Sequence, residues 1–329
     1  MREVAAAADV AISSVSRVLS GHPDVSPEMR GRVMDAVAQL DYERDFLAQS
    51  LRRGQTLSIG FVLGDIANPV MADLMLGTEA DLRQAGYTIL LALNPDGRPG
   101  VDAERIRLLL SRRVDGLILS SASEDDPTTL EALRQARVPL VVVDRTVPAG
   151  LPAGAALTDH GAGIAAAVDH LTALGHRRFA FISGPADTFP VRARLAALRE
   201  SLDGRADVAF TAIHGPLSVE HGRRAALDLL SRSDRPTALI TGGLRHLAGA
   251  LEAVRELDMR LPADVSLVTC DDTQLARLHA PAIACVARDA VMLGTEAARI
   301  VRAMVAGDPP RTSYRPTTFI ARGSCAPAP

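Results

Sequence analysis

The sequence predicts an α/β protein in which an N-terminal helix-turn-helix headpiece of three helices precedes two lobes of doubly wound parallel sheets. Two short helical stretches, broken by a tight turn, occupy residues 4–19. From Leu57 onward, apolar strands alternate with helices, and this alternation restarts near Thr158. Strands that are apolar along their whole length are typical of parallel sheets covered by helices on both faces. Two runs of this kind therefore predict two similar lobes.

The headpiece begins with the sequence VAAAADVAISSVSRVL. Apolar residues recur there at helical spacing and are predicted to face inward: Val4, Ala5, Ala8, Val15, Val18 and Leu19. Asp9 to Ala11 supply the turn, because Asp tolerates a left-handed backbone. The second helix is expected to expose side chains that can approach base edges and phosphates: Ile12, Ser13, Ser14, Ser16 and Arg17. A generic helical hairpin also fits these sixteen residues.

A third helix is predicted after the hairpin. Ser26 is a suitable N-cap and Pro27 suits the first helical position. The apolar face of this helix is predicted to contain Met29, Val33, Val37 and Leu40. The segment from Asp45 to Arg53 is shorter than the ~12 residues that make an isolated helix marginally stable. It is therefore either a linker or a segment that folds only on binding.

The predicted lobes follow the same scheme. Strands of the first lobe are predicted at 57–64, 87–93, 116–120 and 140–143, with helices at 70–84 and 103–113. Helices of the second lobe are predicted at 161–174, 191–202, 218–231 and 244–256, with strands at 179–183, 208–214, 238–241 and 265–269. A helix over 291–306 and a strand over 314–320 are predicted to tie the lobes together. Ligands of open α/β sheets bind at the carboxyl ends of strands, so we expect a site in the cleft between the lobes.

The composition of the 329-residue chain, with 47% hydrophobic residues, favours two or three globular units. No apolar run approaches the ~20 residues that span a bilayer, and no signal-peptide pattern follows Met1, which predicts a cytoplasmic protein. Cys270, Cys285 and Cys325 are unclustered, so we expect reduced thiols, no metal site and no cofactor. Residues 1–53 hold seven arginines against eight acidic residues. This local charge of −1 argues against tight DNA binding, because nucleic-acid readers usually carry a basic face.

Ordered blocks along the whole chain resemble the lactose-repressor (LacI) family of transcription regulators. The headpiece block is VAAAADVAISSVSRVLSG, and LAQSLRRGQTLSIGFVLGDIANP is similar to the family's hinge and first strand. Further family-like blocks are DLRQAGYTILLAL, LLLSRRVDGLIL, VVVDR, DHLTALGHRRFAFISGP and VTCDDT. The resemblance implies a headpiece at 1–43, a hinge at 44–56 and a periplasmic-binding-protein-like (type I) effector domain at 57–329. The N-lobe would comprise 57–157 and 289–316, and the C-lobe 158–288 and 317–329.

The same resemblance implies a sequence-specific DNA-binding repressor, controlled by a sugar-like or related metabolite. Ile12 and Ser13 would read bases, with Ser14, Ser16 and Arg17 as the adjacent base and phosphate contacts. Leu51, with Ala48 on the same hinge, corresponds to the leucine that wedges into the minor groove at the centre of a palindromic operator. One headpiece per half-site implies a homodimer. The tail GSCAPAP does not resemble the leucine-repeat helix of the family's tetramers.

The resemblance also implies a set of effector-binding residues in the cleft: Asp65, Met71, Asp144, Arg194, Leu217, Gly243 and Asp271. Arg194 corresponds to the arginine that grips effector hydroxyls or carboxylates, and Asp271 to the polar ligand from the second lobe. Three of these residues also have a plainer interpretation. Arg194 could be a surface charge, Asp144 a turn residue and Asp271 a helix cap.

Three departures from the family pattern affect these expectations. Met1 stands where the family is already inside its first helix, so the usual cap is absent and we expect that a few N-terminal residues are missing. Asp9 replaces the usual turn glycine. The family's Asn-Asp pair is here Gly243-Leu244, and Leu217 and Met71 stand where aromatic residues are common. Sugar sites usually offer an aromatic platform, so the effector is expected to be small, unusual or absent.

An enzyme and a solute-binding protein are the rival classes. Gly161 to Ala166 fit the pattern G-x-G-x-x-A before a helix, but the next strand ends in Ser183 and Gly184, without the acid that a dinucleotide site needs. We therefore predict a helix packed closely on its sheet, and no enzymatic activity. The alternative function is a two-lobed solute-binding protein that no longer binds DNA.

Overall fold

The computed structural model describes residues 1–19, 21–42, 55–205 and 207–329 and divides into two compact units, Met1–Thr56 and Leu57–Pro329. The predicted hinge, with Ala48 and Leu51, lies outside the described residues, and its role stays a prediction. No helix in the described ranges is both long and apolar enough to cross a membrane.

The headpiece contains the three predicted helices, α1 (Arg2–Ala7), α2 (Ile12–Leu19) and α3 (Pro27–Gln39). Its core consists of the six residues predicted to face inward, together with Val33 and Ala36. Asp9 adopts φ 50° in the turn between α1 and α2, which is the left-handed conformation predicted for it. The hairpin is thus closed by a third helix, as a helix-turn-helix headpiece requires.

The beginning of α3 agrees with the prediction and its end does not. The Ser26 hydroxyl accepts a hydrogen bond from the Met29 N–H at 3.3 Å, and Pro27 occupies the first turn. Leu40 was predicted on the buried face but is 41% exposed. The helix ends at Gln39, so Leu40 lies in the cap and leaves the apolar face, where Ala36 is buried instead.

The lobes of the second unit consist of alternating strands and helices. The first lobe contains β1 (Ser58–Leu63), α4 (Pro69–Gln84), β2 (Thr88–Leu93), α5 (Val101–Ser111), β3 (Gly116–Leu119), α6 (Pro127–Gln135), β4 (Leu140–Val143) and β5 (Ala153–Asp159). The second lobe contains α7 (Gly161–Ala173), β6 (Arg178–Ser183), α8 (Phe189–Leu202), β7 (Ala209–His214), α9 (Val219–Leu230), β8 (Ala238–Thr241), α10 (Leu244–Glu256), β9 (Ser266–Cys270), α11 (Gln274–Leu278) and β10 (Ala284–Ala287). The chain then forms α12 (Ala290–Val305), β11 (Thr312–Pro316) and β12 (Thr318–Ile320).

Both sheets have six strands in equivalent order. The first is ordered β11-β5-β4-β3-β1-β2 and the second β12-β10-β9-β8-β6-β7. All neighbours are parallel except β12, which pairs antiparallel with β10. Strands β3, β4, β8 and β9 are buried along their whole length. This burial confirms two doubly wound parallel sheets covered on both faces.

The single strand predicted over 314–320 is wrong. Strand β11 joins the first sheet and β12 the second, with Thr317 between them. The N–H and the hydroxyl of Thr317 both donate to the Asp159 carbonyl at 3.0 Å, which fixes the crossing point between the lobes. A Cβ at Gly163 would lie 2.5 Å from the Thr317 hydroxyl, so α7 packs closely here, as predicted.

Four elements, α6, β5, α11 and β10, did not appear in the prediction. Strand β5 has the sequence AGAALTD, in which Thr158 is the single β-branched residue, so the usual composition of a strand is missing. The structure gives the reason, because a Cβ at Gly154 would lie 2.5 Å from Ile300 of α12. Only small residues fit beneath this helix. The strand also runs to Asp159, two residues past the predicted lobe boundary at 157.

Helices α4 and α12 of the first lobe touch through their backbones. A Cβ at Gly77 would lie 1.9 Å from the Val291 carbonyl oxygen, and one at Gly294 would lie 2.0 Å from the Leu74 carbonyl oxygen. Neither position can accept a side chain without moving a helix. The two helices therefore pack as one rigid pair.

Candidate functional site

The outer face of α2 is the candidate DNA-reading surface. Ile12 is 44% exposed, and Ser13 and Arg17 are also exposed. Ser14 and Ser16 are partly exposed, because both flank the buried Val15. An Arg17 guanidinium nitrogen lies 3.8 Å from Asp24 Oδ2, so an acidic neighbour partly balances its charge.

The second candidate site lies where the two sheets face each other. Asp65 follows β1 and Asp144 follows β4 of the first lobe, while Gly243, Asp271 and Arg288 follow β8, β9 and β10 of the second. Side chains from these positions meet across the lobes, as the contacts below establish. The carboxyl ends of both sheets therefore border one cleft, which is where open α/β sheets bind ligands.

Arg288 lies at the centre of the cleft and joins the two lobes. It donates from Nη1 to Asp144 Oδ2 of the first lobe and from Nε to Asp271 Oδ1 of the second, the latter at 2.7 Å. All three side chains are at most 9% exposed. Burial alone would lower the pKa of Arg288, but the charges of Asp271 and Asp144 raise it above its ordinary value. This buried guanidinium therefore stays charged and hydrogen-bonds to both carboxylates.

Arg194, on α8, is also buried, with 4% of its surface exposed, so the surface-charge interpretation is wrong. Its Nη1 donates to the Gly242 carbonyl at 2.8 Å, and its Nη2 lies 3.8 Å from Asp271 Oδ2, beyond hydrogen-bond distance. Within the part of the chain that the structure describes, Nε and Nη2 have no hydrogen-bond partner. Buried donors without acceptors are costly, and a bound acceptor would remove that cost.

The plainer interpretation of Asp271 fails, whereas Asp144 does lie at the bend that begins the loop after β4. The cap of α11 is Thr273, whose hydroxyl accepts from the Ala276 N–H at 3.4 Å, so Asp271 does not cap this helix. Asp144 is 2% exposed and accepts hydrogen bonds from the N–H and hydroxyl of Thr158 at 2.7 and 3.0 Å. Both aspartates have positive φ, 73° for Asp271 and 47° for Asp144. Such strained backbone clusters at ligand sites.

Two further ion pairs cross between the lobes at the margins of the cleft. Asp65 accepts from Arg245 of α10, and Glu124 accepts from Arg192 of α8 at 2.7 Å. Glu124 also accepts from the Phe189 N–H at the start of α8. Burial alone would raise the pKa of Glu124, but hydrogen bonds from Arg192 and neighbouring groups lower it below its ordinary value. In every pair that crosses, the first lobe supplies the carboxylate and the second the guanidinium.

His160 adds a buried imidazole to the second-lobe side. It precedes α7, is 3% exposed, and neither ring nitrogen has a hydrogen-bond partner among the described residues. Burial, together with the nearby charges of Arg194 and Arg288, lowers the pKa of His160 well below its ordinary value. Burial likewise lowers the pKa of His246 to about 4, despite a hydrogen bond to the Pro216 carbonyl. Both rings are therefore neutral near pH 7.

The remaining predicted effector residues are less central. Met71 is partly buried and packs on the first-lobe core, and Leu217 is 49% exposed in the loop after β7. Gly243 precedes α10 with φ 148°. A Cβ there would meet nothing closer than Asp271 Oδ2 at 3.9 Å. Asp144, Arg194, Gly243 and Asp271 thus come together, whereas Met71 and Leu217 are not brought into this group by any described contact.

Sequence reasoning missed four residues of this site: Glu124, His160, Arg245 and Arg288. Arg288 was missed because β10 is only four residues long and was not recognised, so no strand end pointed to it. A polar residue that lies between the end of a strand and the next helix is the sequence signal that could have indicated these site residues. No cluster of three His, Cys, Asp or Glu side chains in the described ranges could hold a metal ion.

Comparisons with known proteins match both units of the chain. Residues 1–45 match the family model of bacterial regulatory proteins of the lacI family, and residues 168–325 match that of the periplasmic binding protein-like domain. The ribose operon repressor of Escherichia coli (strain K12) is 30% identical over 284 residues, which are 85% of each chain. The chain belongs to the LacI family.

Other LacI-family proteins are similar over the full length. The transcriptional regulator MalR of Streptomyces coelicolor is 30% identical to this chain, and the matched region covers 100% of this chain and 97% of MalR. A crystal structure of the lac repressor dimer bound to operator and the anti-inducer ONPF has a TM-score of 0.86 at 25% identity, covering 98% of both chains. The complex of CelR with cellobiose has a TM-score of 0.74 at 29% identity. This LacI-family chain is therefore a DNA-binding transcription regulator with the predicted fold.

Proposed function

We propose that this chain is a cytoplasmic, homodimeric repressor whose headpieces bind a palindromic operator and whose operator affinity is set by a small polar effector in the interlobe cleft. The observation that carries the effector assignment is the buried Arg194, whose Nε and Nη2 lack a hydrogen-bond acceptor among the described residues although Asp271 lies 3.8 Å away. The lac repressor structure with operator and the CelR structure with cellobiose support the same division of roles in this chain.

The exposed start of α2 supports the DNA-binding part of the proposal. Ile12 and Ser13 stand at the N-terminus of this helix, the end that contacts base edges in helix-turn-helix proteins. Ser14, Ser16 and Arg17 would contact neighbouring bases and phosphates. Because residues 1–53 carry a charge of −1, non-specific attraction to phosphate is weak, so specific contacts must supply more of the operator affinity. Leu51 and Ala48 of the hinge would provide some of them.

Arg288 suggests how effector binding reaches the rest of the protein. An effector that engages Arg194, Asp144 and Asp271 competes with Arg288 for the two carboxylates that it joins across the lobes. The closure of the lobes would then depend on the effector. A ligand regulates only if it binds one closure state more tightly than the other, so the exchange of these contacts sets the direction of the response.

Enrichment of genomic DNA fragments by the full-length protein, at low and at physiological salt, tests the proposal. We expect one palindromic sequence to be enriched at both salt concentrations. If no sequence is enriched at either concentration, operator binding is contradicted. Effector binding without DNA binding would then identify a two-lobed solute binder, which is the alternative function.

A Leu51→Ala variant tests the hinge. We expect operator affinity to fall at least tenfold, since a wedging leucine offsets the cost of unstacking two base pairs. Operator affinity is measured by fluorescence anisotropy with the enriched sequence. Met34→Ala is the matched control, because Met34 is an apolar headpiece residue that is 49% exposed and lies off α2. Equal operator affinities for the two variants would contradict the hinge assignment.

A further inference from the structure

Helices α5 and α6 of the first lobe carry an exposed basic surface. Residues 101–113 and 127–139, which contain both helices and the loops that follow them, hold six arginines and three acidic residues, in a chain whose net charge is −3. One of the acids, Asp102, is buried and accepts a hydrogen bond from the Asn94 side chain at 3.0 Å. The side of the two helices that faces solvent is therefore positively charged.

Three arginines of this surface have no partner and together form what we name the arginine face: Arg107, Arg112 and Arg137. All three are exposed, and their side chains make no ion pair and no hydrogen bond with any residue that the structure describes. By contrast, Arg134 on the same surface pairs with Glu131 at 3.6 Å. The three guanidinium groups of the arginine face are thus free to bind an anion from solution.

The second lobe repeats the topology of the first but pairs arginines at the sheet edge where its strands begin. Arg177, which precedes β6, pairs with Asp207 at 3.1 Å. Arg205, which precedes β7, pairs with Asp169 at 2.7 Å. An anion that bound to either guanidinium would have to compete with a carboxylate already in place. The arginine face is therefore a property of the first lobe and is not imposed by the shared topology.

The arginine face reaches the sheet edge at which the chain enters the first lobe. Arg112 ends α5, and in the loop that follows Asp115 Oδ2 accepts a hydrogen bond from the Leu57 N–H at 2.7 Å. Arg137 lies at the same edge, since it shortly precedes β4, the strand paired with β3. Residues 43–56 join this edge to the headpiece and can span at most about 50 Å. DNA bound by the headpiece is thus tethered to the arginine face.

The charge of the headpiece gives a reason for a second DNA-binding surface. Residues 1–53 carry a local charge of −1, whereas the neutralisation of phosphates supplies most non-specific DNA affinity. Phosphate contacts carry no sequence information, so they can be made by any exposed cations within reach of the duplex. Guanidinium groups suit this task because their planar fork matches the oxygens of a phosphate. A basic surface elsewhere on the chain would therefore add the affinity that the headpiece lacks.

We propose that the arginine face of the first lobe binds the phosphate backbone of the duplex DNA that flanks the operator. This inference rests on the proposed repressor function and adds to it a DNA-binding surface outside the headpiece and the hinge. Tethering makes such contacts effective even when each is weak, because the second binding event is intramolecular. Each contact with a phosphate releases counterions, so the arginine face makes operator affinity more dependent on salt.

The salt dependence of operator binding by the full-length protein tests this proposal. Fluorescence anisotropy measures Kd between about 50 and 200 mM sodium chloride on two duplexes, the palindrome alone and the palindrome with flanking sequence on both sides. The test variant carries Arg107→Gln, Arg112→Gln and Arg137→Gln. On the flanked duplex we expect a salt slope smaller by about two to three, since each lost phosphate contact lowers it by about 0.9. On the palindrome alone we expect no change.

A second triple variant is the matched control. Arg199, Arg224 and Arg255 are exposed on the second lobe and, in the described ranges, form no ion pair. Changing all three to Gln removes the same charge from the chain. We expect this control to bind both duplexes as the unchanged protein does. If the two triple variants reduced the salt slope equally, overall charge would be the cause and the arginine face would be overturned.

The single change Arg137→Gln keeps the proposal testable if the triple variant fails to fold. We expect it to reduce the salt slope on the flanked duplex by about 0.9, the value of one phosphate contact. A slope equal to that of the unchanged protein would contradict the proposal.

Three outcomes separate the arginine face from the repressor function. An unchanged salt slope on the flanked duplex overturns the arginine face, while the repressor function stands. If no operator is enriched, a random-sequence duplex replaces it, and weaker binding of that duplex by the test variant alone supports the arginine face although the repressor function fails. If the arginine face binds polyglutamate and its loss leaves DNA affinity unchanged, the surface serves acidic proteins and the proposal is overturned.

Discussion

The two lobes of the effector domain have the same strand order but opposite chemistry at the edges that face each other. The first lobe contributes Asp65, Glu124 and Asp144 to the ion pairs that cross the cleft, and the second contributes guanidinium groups. Histidine is distributed just as unevenly, because residues 57–159 contain none and the second lobe contains seven of the eight in the chain.

This difference separates what the fold determines from what the site determines. The repeated topology brings strand ends together on both sides of the cleft, whatever their sequence. The residues placed at those ends make one side acidic and the other basic. The lobes can therefore hold each other closed without a ligand, and a ligand must replace contacts that the protein already makes to itself.

Removal of Arg288 should have the largest effect on this balance. In Arg288→Met, Asp144 and Asp271 remain buried without the guanidinium that hydrogen-bonds to both, and breaking a buried pair in this way costs about 3–5 kcal/mol of unfolding free energy. Urea unfolding of the full-length protein measures the loss. Adding Asp144→Asn and Asp271→Asn to the variant should restore much of it. A loss below about 1 kcal/mol in the single variant would mean that the bridge is not a major interlobe contact.

The rigid helix pair of the first lobe should give the next largest effect. Gly294→Ala places a methyl group 2.0 Å from the Leu74 carbonyl oxygen, and overpacking against the backbone should cost about 3 kcal/mol. Gly31→Ala, in α3 with no atom within 4 Å of the new Cβ, should instead stabilise the headpiece by about 0.5–1 kcal/mol. Thermal unfolding of both variants tests the contrast. If both variants changed the melting temperature in the same direction, the prediction would be contradicted.

The lowered pKa of the buried His246 predicts that the free energy of unfolding decreases at acidic pH. The pKa of His246 is about 4 in the folded protein and about 6.5 in an unfolded chain, so below pH 6.5 only the unfolded chain takes up this proton. Stability should therefore fall as pH decreases from 7, by about 2 kcal/mol at pH 5. Urea unfolding between pH 5 and 7.5 measures the slope. His246→Gln should flatten it and His22→Gln, an exposed headpiece change, should not; equal slopes would exclude His246 as the cause.

The ion pair between Asp65 and Arg245, at the margin of the cleft, should contribute least to the unfolding free energy. The Arg245 side chain is 43% exposed, and exposed ion pairs contribute about 0–1 kcal/mol. Asp65→Asn should therefore change the unfolding free energy by less than about 1 kcal/mol in urea, although it removes a cross-lobe contact. A larger loss would show that closure depends on the margins of the cleft as much as on Arg288.

Much of the fold could be predicted because its signals are local. Apolar strands, helical spacing and the Asp9 turn are properties of neighbouring residues, and most predicted elements occur within one or two residues of their predicted ends. The failures have physical causes. Strand β5 contains small residues because α12 lies against it, and a single residue, Thr317, separates two strands that belong to different sheets.

The site was less predictable because its key contacts connect distant parts of the chain. Family resemblance suggested Arg194, Asp144 and Asp271, and the structure brings them together. Nothing in the local sequence indicated that Arg288 would join the two aspartates, since that contact depends on how both lobes close. The sequence equally does not show that Nε and Nη2 of Arg194 lack a hydrogen-bond acceptor among the described residues, because this depends on tertiary contacts.

The glycine contact between α4 and α12 has a mechanical consequence. Arg288 is followed directly by Asp289, which caps α12 by accepting from the Met292 N–H at 2.8 Å. Helix α12 in turn contacts the backbone of α4 directly, because Gly77 and Gly294 have no side chains to separate the two helices. A displacement of Arg288 is therefore expected to move α12 and α4 together as one rigid unit. Effector specificity could then change in evolution at the cleft while the transmission stayed the same.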